Sequence, residues 1–380
     1  MIVRVAVSGW KATCIALLAL LAAAPTIHAA DSSASQPPAD KLIADLGLHI
    51  ASQPVRERPG WRAPRVILVS SQLHDVLDEL RKAAPQVRLV EFSSNTTARD
   101  VSDADASIGI CSDDVLAKAK KLQWIQWLGA GVERCVSVAA IQQRQPLITN
   151  MQRAAGSSMA EHVMAMMLTL SRRFGYYFDE QREGHWSASD ADRPQTADLE
   201  GKTVLIVGLG GIGTEVAKRA HAFGMRVTAT RASGRTGPDY VSYVGLPEEL
   251  PTLAKDADFV VNCTPLTPST TGIFNAQFFA LMKPTAYFLS VGRGRSTVTT
   301  DLIAALKDKR VAGAGLDVTD PEPLPAESPL WRMPNVIITP HVSADTALAD
   351  QMRVAILREN LRRYVAGEPM VSVVDIGKGY

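Results

Sequence analysis

An apolar, β-rich run, Thr203-Val204-Leu205-Ile206-Val207, enters Gly208-Leu209-Gly210-Gly211-Ile212-Gly213 without a spacer, and a helical segment from Thr214 to Phe223 then closes at Gly224. No other stretch of the chain restricts the fold as tightly. A lone GxGxxG carries little information, but this one has a strand before it, a helix after it and a second strand at Arg226 to Thr230. In a βαβ unit of that kind the glycines permit a tight turn and let backbone N–H groups at the helix N-terminus approach a pyrophosphate. Gly208, Gly210, Gly211, Ile212 and Gly213 are therefore expected to bind a dinucleotide, the alternative being a purely structural βα turn.

Selectivity for NAD usually needs Asp or Glu at the end of the second strand, about 20 residues on, to bind the ribose 2′-hydroxyl. Arg231 stands there instead, with Ser233 and Arg235 close behind. A carboxylate would repel a 2′-phosphate, whereas guanidinium and hydroxyl groups can hold one. The expected cofactor is NADP(H), with NAD(H) possible; a solvated basic turn is the bland alternative.

A first βα series precedes this unit. Arg65 to Val69, Val87 to Val90, Ala106 to Ile110 and Trp124 to Leu128 read as strands, with helical patterns through Val76, Leu77 and Leu80 and from Val115 to Lys121. Alternation of this kind predicts a mostly parallel sheet. Ala160, Val163, Met164, Met167 and Leu168 recur at helical spacing between Ser157 and Ser171, so one long helix is expected there, its Met stripe serving packing. Upstream, Arg4 and Lys11 precede an apolar run from Cys14 to Ala24 and small residues through Ala30. That run is too short to span a bilayer and reads as a signal peptide, residues 1–30, without a lipid or membrane anchor. Export to the periplasm is expected, or a cytoplasmic protein if the leader is not used. Residues 31–62, Ser- and Pro-rich at their start, read as a linker or loosely attached extension.

Composition removes several functions. Forty Lys and Arg against 39 Asp and Glu leave a formal charge of +1, which offers no field for nucleic acid or an anionic membrane. Four cysteines at 14, 111, 135 and 263 show no CxxC spacing, so neither a zinc site nor a disulfide scaffold is expected, no metal is assigned, and the cysteines read as structural thiols.

Three more strands follow the glycine-rich turn. Ala286 to Val291 ends in Gly292-Arg293-Gly294-Arg295, Ala312 to Val318 runs on to Asp320-Pro321-Glu322-Pro323, and Asn335 to Thr339 ends at Pro340-His341. Ligands of doubly wound sheets bind beyond the carboxyl ends of the strands. An Arg, a Glu and a His each fall where a site would form.

Taken with the glycine-rich turn, the segments Gly292-Arg293-Gly294, Leu316-Asp317-Val318, Glu322-Pro323 and Thr339-Pro340-His341 resemble the D-isomer-specific 2-hydroxyacid dehydrogenases, in particular those of glyoxylate/hydroxypyruvate reductase type, from about residue 65 to the C-terminus. The resemblance implies an α/β fold of two doubly wound parallel-sheet domains: a Rossmann cofactor domain, 156–341, inserted into a discontinuous flavodoxin-like substrate domain, 63–155 and 342–380. It also implies roles. Arg293 would fix the substrate carboxylate and polarise its carbonyl, His341 would be the general acid or base, and Glu322 would orient the imidazole. Ala130 and Gly131, in Leu128-Gly129-Ala130-Gly131-Val132, would offer backbone N–H groups to the carboxylate. Asp317 would lie near the nicotinamide, and Thr264-Pro265 would pack along the cofactor, with Cys263 as a buried filler beside them. Ser290 and Thr297-Val298 depart from the family's usual residues without removing a chemical group.

The expected function is an oxidoreductase moving a hydride between NADP(H) and a small 2-oxo acid or D-2-hydroxy acid. A dinucleotide-sensing binding protein on the same scaffold and a dehydrogenase for a bulkier 2-oxo acid are the alternatives. A homodimer is implied by the resemblance, with the helix from Ser157 and the aromatics Phe174, Tyr176, Tyr177 and Phe178 as candidate surface or as intrachain core.

Overall fold

The computed structural model describes residues 38–186 and 194–380. The expected signal peptide, residues 1–30, and the first residues of the expected linker lie outside them.

Two wholly parallel sheets organise the chain. The first contains β1 (Val66–Ser70), β2 (Arg88–Phe92), β3 (Ala106–Ile108), β4 (Trp124–Gln126) and β5 (Leu147–Thr149) in the order β2-β1-β3-β4-β5. The second contains β6 (Thr203–Val207), β7 (Arg226–Thr230), β8 (Tyr243–Gly245), β9 (Phe259–Asn262), β10 (Tyr287–Ser290), β11 (Gly313–Leu316) and β12 (Val336–Ile338) in the order β12-β11-β10-β9-β6-β7-β8. These are the flavodoxin-like and Rossmann orders, each with a switch point where the winding reverses. Most strands are buried along their length, as expected of sheets covered by helices on both faces. The short strands β5 and β8, and β9, carry too few residues or too little flanking punctuation to stand out in the sequence.

The second sheet carries its own core. Ala160, Val163, Met164 and Met167 on the Gly156–Ser171 helix pack with Val216, Ala217 and Ala220 of the Gly211–Ala222 helix and with Val204, Ile206 and Leu289. The Met stripe is therefore intrachain core. Phe174 and Phe178 of the following helix, Phe174–Glu183, and Trp186 remain exposed.

The last helix, Ala347–Ala366, returns to the first sheet. Tyr364 stacks on Trp124 with ring centroids 4.5 Å apart, and the buried Asn360 Nδ2 donates to Gln126 Oε1 at 2.9 Å. Satisfying Gln126 in this way matters, because an unpaired buried amide costs about 1–3 kcal/mol.

Two expectations are corrected here. The segment read as a loose extension over 31–62 is, from residue 39 on, part of the first domain. A helix at Ala39–Leu46 buries Leu42, and Leu48 and Val55 join the core that holds Trp124 and Tyr364. Ala51 N–H donates to Met370 O at 2.8 Å and Ile50 bridges Val371 in antiparallel fashion. Pro and Ser at its start mask an amphipathic segment whose partner lies at the far end of the chain. The second correction concerns the thiols. Cys111 and Cys135 form a disulfide, with Cα atoms 5.5 Å apart; only the fold brings the exit of β3 against the short helix Glu133–Val136, which a 24-residue separation does not reveal.

Candidate active site

Gly208 leaves β6 with φ of +97°, and a Cβ there would lie 3.0 Å from the Cys263 carbonyl. Conformation and crowding both call for glycine. A Cβ on Gly213 would overlap the Gly208 carbonyl, so the helix rests directly on the turn. Around Gly210 nothing lies within 4 Å of the Cβ position, and the helix starts at Gly211, three residues earlier than the sequence pattern suggests, with Ile212 in its first turn. The open side thus exposes the first N–H groups of a twelve-residue helix at the switch point between β6 and β9, the arrangement that accepts a pyrophosphate.

Past β7, Arg231 Nε donates to Ser233 Oγ at 2.8 Å and Nη1 to Thr236 O at 3.0 Å. Arg235 turns away from this pair, toward Glu249 at 2.6 Å and the Tyr243 hydroxyl at 3.0 Å. The hydroxyl of Tyr243, Leu246 N–H and Arg235 hold the Glu249 carboxyl below its ordinary range. Of the three residues expected at a 2′-phosphate, the structure brings together Arg231 and Ser233 and gives Arg235 a carboxylate partner of its own.

Between the glycine-rich turn and the ends of β9 and β10 lies a buried polar knot. Asn262 at the end of β9 donates to Ser290 Oγ at 3.0 Å and Ser296 Oγ at 2.7 Å, while its Oδ1 accepts from Thr264 N–H and Thr264 Oγ. Ser290 thus serves as acceptor for Asn262. The knot fixes the Thr264-Pro265 loop on one side and the Arg293 turn on the other; Pro265 is exposed and Thr264 buried. Burial pushes the Cys263 thiol up to about 12, which disables it as a nucleophile at neutral pH.

Arg293 follows β10 and reaches across to the first domain. Its Nε donates to Glu133 Oε1 at 2.6 Å and its Nη1 to its neighbour's carbonyl, Gly292 O, at 2.9 Å. Its Nη2 presses against Gly131, where any Cβ would collide with it. The carbonyls of Gly129, Ala130 and Gly131 accept from Met151 N–H, Asn150 Nδ2 and the Trp127 indole N–H respectively. All three carbonyls of the loop are thus turned into the protein, beside the guanidinium.

His341 follows β12 in the left-handed region, φ +58°. Its Nδ1 lies 2.8 Å from Glu322 Oε1, with both side chains a little over 40% exposed. That hydrogen bond, above all, holds the Glu322 carboxyl below its ordinary range. An ionised Glu322 accepts the proton on Nδ1, so Nε2 is the ring nitrogen outside this pair.

Asp317, expected beside a nicotinamide, is 1% exposed. Its carboxylate accepts from Thr339 Oγ at 2.7 Å and from Val342 and Ser343 N–H groups at 3.0 and 3.1 Å, and its carbonyl accepts from His341 N–H at 2.8 Å. It works as a clamp beneath the His341 turn. His162 Nε2 approaches Thr339 Oγ at 3.0 Å from the Gly156–Ser171 helix and Asp317 at 3.8 Å; because Thr339 gives its proton to Asp317, His162 is the donor to Thr339. Sequence reasoning names none of Glu133, Asn262 and His162 among the site residues. Only Glu133, directly after the Gly129–Val132 loop, carried a readable sign.

Comparison with known proteins agrees with this geometry. The profile of the D-isomer specific 2-hydroxyacid dehydrogenase NAD binding domain matches residues 164–343. D-3-phosphoglycerate dehydrogenase from Methanocaldococcus jannaschii is 32% identical over 318 residues, 82% of this chain but 59% of that protein. A D-isomer specific 2-hydroxyacid dehydrogenase family protein from Aeromonas salmonicida is 31% identical, with a TM-score of 0.71 over 82% of this chain and 99% of its own. The NADPH-dependent glyoxylate/hydroxypyruvate reductase of Sinorhizobium meliloti, solved with NADP and sulfate, is 28% identical, with a TM-score of 0.73 over 83% of this chain and 100% of its own.

Proposed function

Because this chain belongs to the D-isomer specific 2-hydroxyacid dehydrogenase family, we propose that it is an NADP(H)-dependent oxidoreductase that interconverts a small 2-oxo acid, of glyoxylate or hydroxypyruvate type, and the D-2-hydroxy acid. One observation carries the reading: Arg293 lies against the Gly129–Gly131 loop while the His341–Glu322 pair stands on neighbouring strand ends of the same sheet. A 2-oxo acid needs its carboxylate fixed, its carbonyl polarised and a proton delivered to the carbonyl oxygen. With Nε and one Nη1 proton taken, Arg293 keeps three donors for the carboxylate and the oxygen. The loop's N–H groups add to the carboxylate site. His341 Nε2 hands over the proton in reduction and takes it back in oxidation, steadied by Glu322. The turn through Gly208, Gly210 and Gly213 fits a dinucleotide, and NADPH, when bound, supplies the hydride.

Support for NADP(H) comes from Arg231 and Ser233 and from the cofactor of the Sinorhizobium enzyme. The same reading divides the chain into a cofactor domain, 156–341, and a substrate domain of 63–155 and 342–380 that also takes in residues 39–62. A homodimer is supported by the exposed Phe174, Phe178 and Trp186, and export by the leader pattern together with the Cys111–Cys135 disulfide, since disulfides persist in oxidising compartments.

The test follows NADPH and NADH consumption by residues 31–380 against glyoxylate, hydroxypyruvate, pyruvate and phenylpyruvate. NADPH-dependent turnover of a small acid is expected; dinucleotide binding without turnover would overturn the enzymatic reading in favour of a sensor. Arg231→Asp should move preference toward NADH by about tenfold or more, the scale of one charge-assisted contact.

A further inference from the structure

Arg293 and Glu133 are 160 residues apart and belong to opposite domains, yet they meet at 2.6 Å with each side chain about 30% exposed. Glu133 begins a helix of one turn, Glu133–Val136, and Cys135 within that turn is bonded to Cys111 at the exit of β3. The helix is too short to hold itself, since a single turn does not repay its own nucleation. Its attachment comes from the disulfide, from the buried Val132 and Cys135 with Val136 partly buried beside them, and from Gln142 Nε2, which donates to Val136 O at 2.7 Å.

We propose that Glu133 is the positioning residue for Arg293, and that the Cys111–Cys135 disulfide fixes Glu133 in place. This rests on the reading of Arg293 as the substrate-carboxylate residue. Three features of the geometry support it. The carboxylate takes the Nε edge of the guanidinium, with Nη2 against the Gly131 loop, so the group is not free to rotate about the last side-chain bonds. Gly131 and Glu133 lie on the same short segment, so the crevice that admits Nη2 and the acid that orients it move together. The Gly292 carbonyl restrains Nη1 from the opposite domain, so the guanidinium is aligned only when both domains contribute. An acid on one domain and a substrate-binding arginine on the other thereby make substrate affinity depend on cleft geometry, while the glycine-rich turn stands outside this linkage.

The closing experiment compares the wild type, Glu133→Ala, Glu133→Asp, the pair Cys111→Ser/Cys135→Ser, and the combination of Glu133→Ala with the cysteine pair. Each is measured for kcat and KM with the preferred 2-oxo acid, for NADPH affinity by fluorescence, and for hydrogen exchange at residues 292–296. Glu133→Ala should raise KM about tenfold or more, the scale of losing a charge-assisted hydrogen bond, with kcat within about threefold and NADPH affinity unchanged. Glu133→Asp should recover part of the loss. The cysteine pair should raise KM in the same direction by less, and adding it to Glu133→Ala should cost nothing further, because both act through one contact. An unchanged KM in Glu133→Ala overturns the positioning role, and additive losses overturn the link to the disulfide. If the wild type turns over no 2-oxo acid, the functional reading fails on its own, and exchange at 292–296 decides this one: faster exchange in Glu133→Ala and on disulfide reduction sustains it, and unchanged exchange defeats it.

Discussion

Arg293 and His341 face the same substrate in the proposed reaction, but the protein holds them by opposite means. His341 is fixed from within its own domain. Asp317 accepts the N–H groups of Val342 and Ser343 and the Thr339 hydroxyl, and its carbonyl takes the His341 N–H. A non-glycine residue in the left-handed region costs about 1–3 kcal/mol, and hydrogen bonds to a buried charge contribute about 1.5–3 kcal/mol each, so the clamp outweighs the strain. Arg293 has no such cradle. The carboxylate it bonds, Glu133, comes from the other domain, on a one-turn helix tied down by a disulfide. The proposed acid–base residue is built into one domain, whereas the proposed anion-binding residue is completed only where two domains meet. Proton transfer should therefore tolerate changes in the cleft that substrate binding does not.

Three measurements press on that contrast. His341→Gln removes the acid without disturbing the cleft; kcat should fall on the order of 10²-fold or more with NADPH affinity intact, and undiminished turnover would end the proton-transfer assignment. Gly131→Ala strikes the other side. Its methyl collides with Arg293 Nη2, so KM should rise about tenfold while kcat falls less, in keeping with lost ground-state binding; equal kinetics would mean that the guanidinium is not confined by the loop. The smallest effect concerns pH. The His341 hydrogen bond holds Glu322 below its ordinary range, so the stabilisation from the ionised carboxylate is fully present above the usual carboxylate pKa and is lost as pH falls through the lowered value. Wild-type Tm should accordingly drop more between neutral and acid pH than that of Glu322→Gln, by a degree or so for a pair this exposed, and parallel pH curves would remove Glu322 from that role.

The glycine-rich turn and the strand ends were legible because they are local. Gly208, Arg293, Glu322 and His341 each sit beside a strand whose apolar run is continuous in the sequence, and a parallel sheet delivers all its carboxyl ends to one edge. Cofactor selectivity was half legible: Arg231 and Ser233 pair as a basic, hydroxyl-bearing turn, but the acid that occupies Arg235 comes from beyond β8. The N-terminal segment reads as a loose extension because Leu42 and Val55 acquire meaning only against the C-terminal residues they cover.

What the sequence determined by itself is the pair of parallel α/β domains, the dinucleotide turn and the set of chemical groups at the strand ends. Their periodicities and turn residues act over a few positions, where backbone sterics and burial of one face leave few alternatives. The tertiary structure alone decided how those groups are aimed: the Glu133–Arg293 contact across the cleft, the Cys111–Cys135 bond, the Asn262 knot and the Asp317 clamp. Each depends on side chains from segments far apart in the chain, and the energy of such a contact resides in distance and desolvation, which no local pattern encodes.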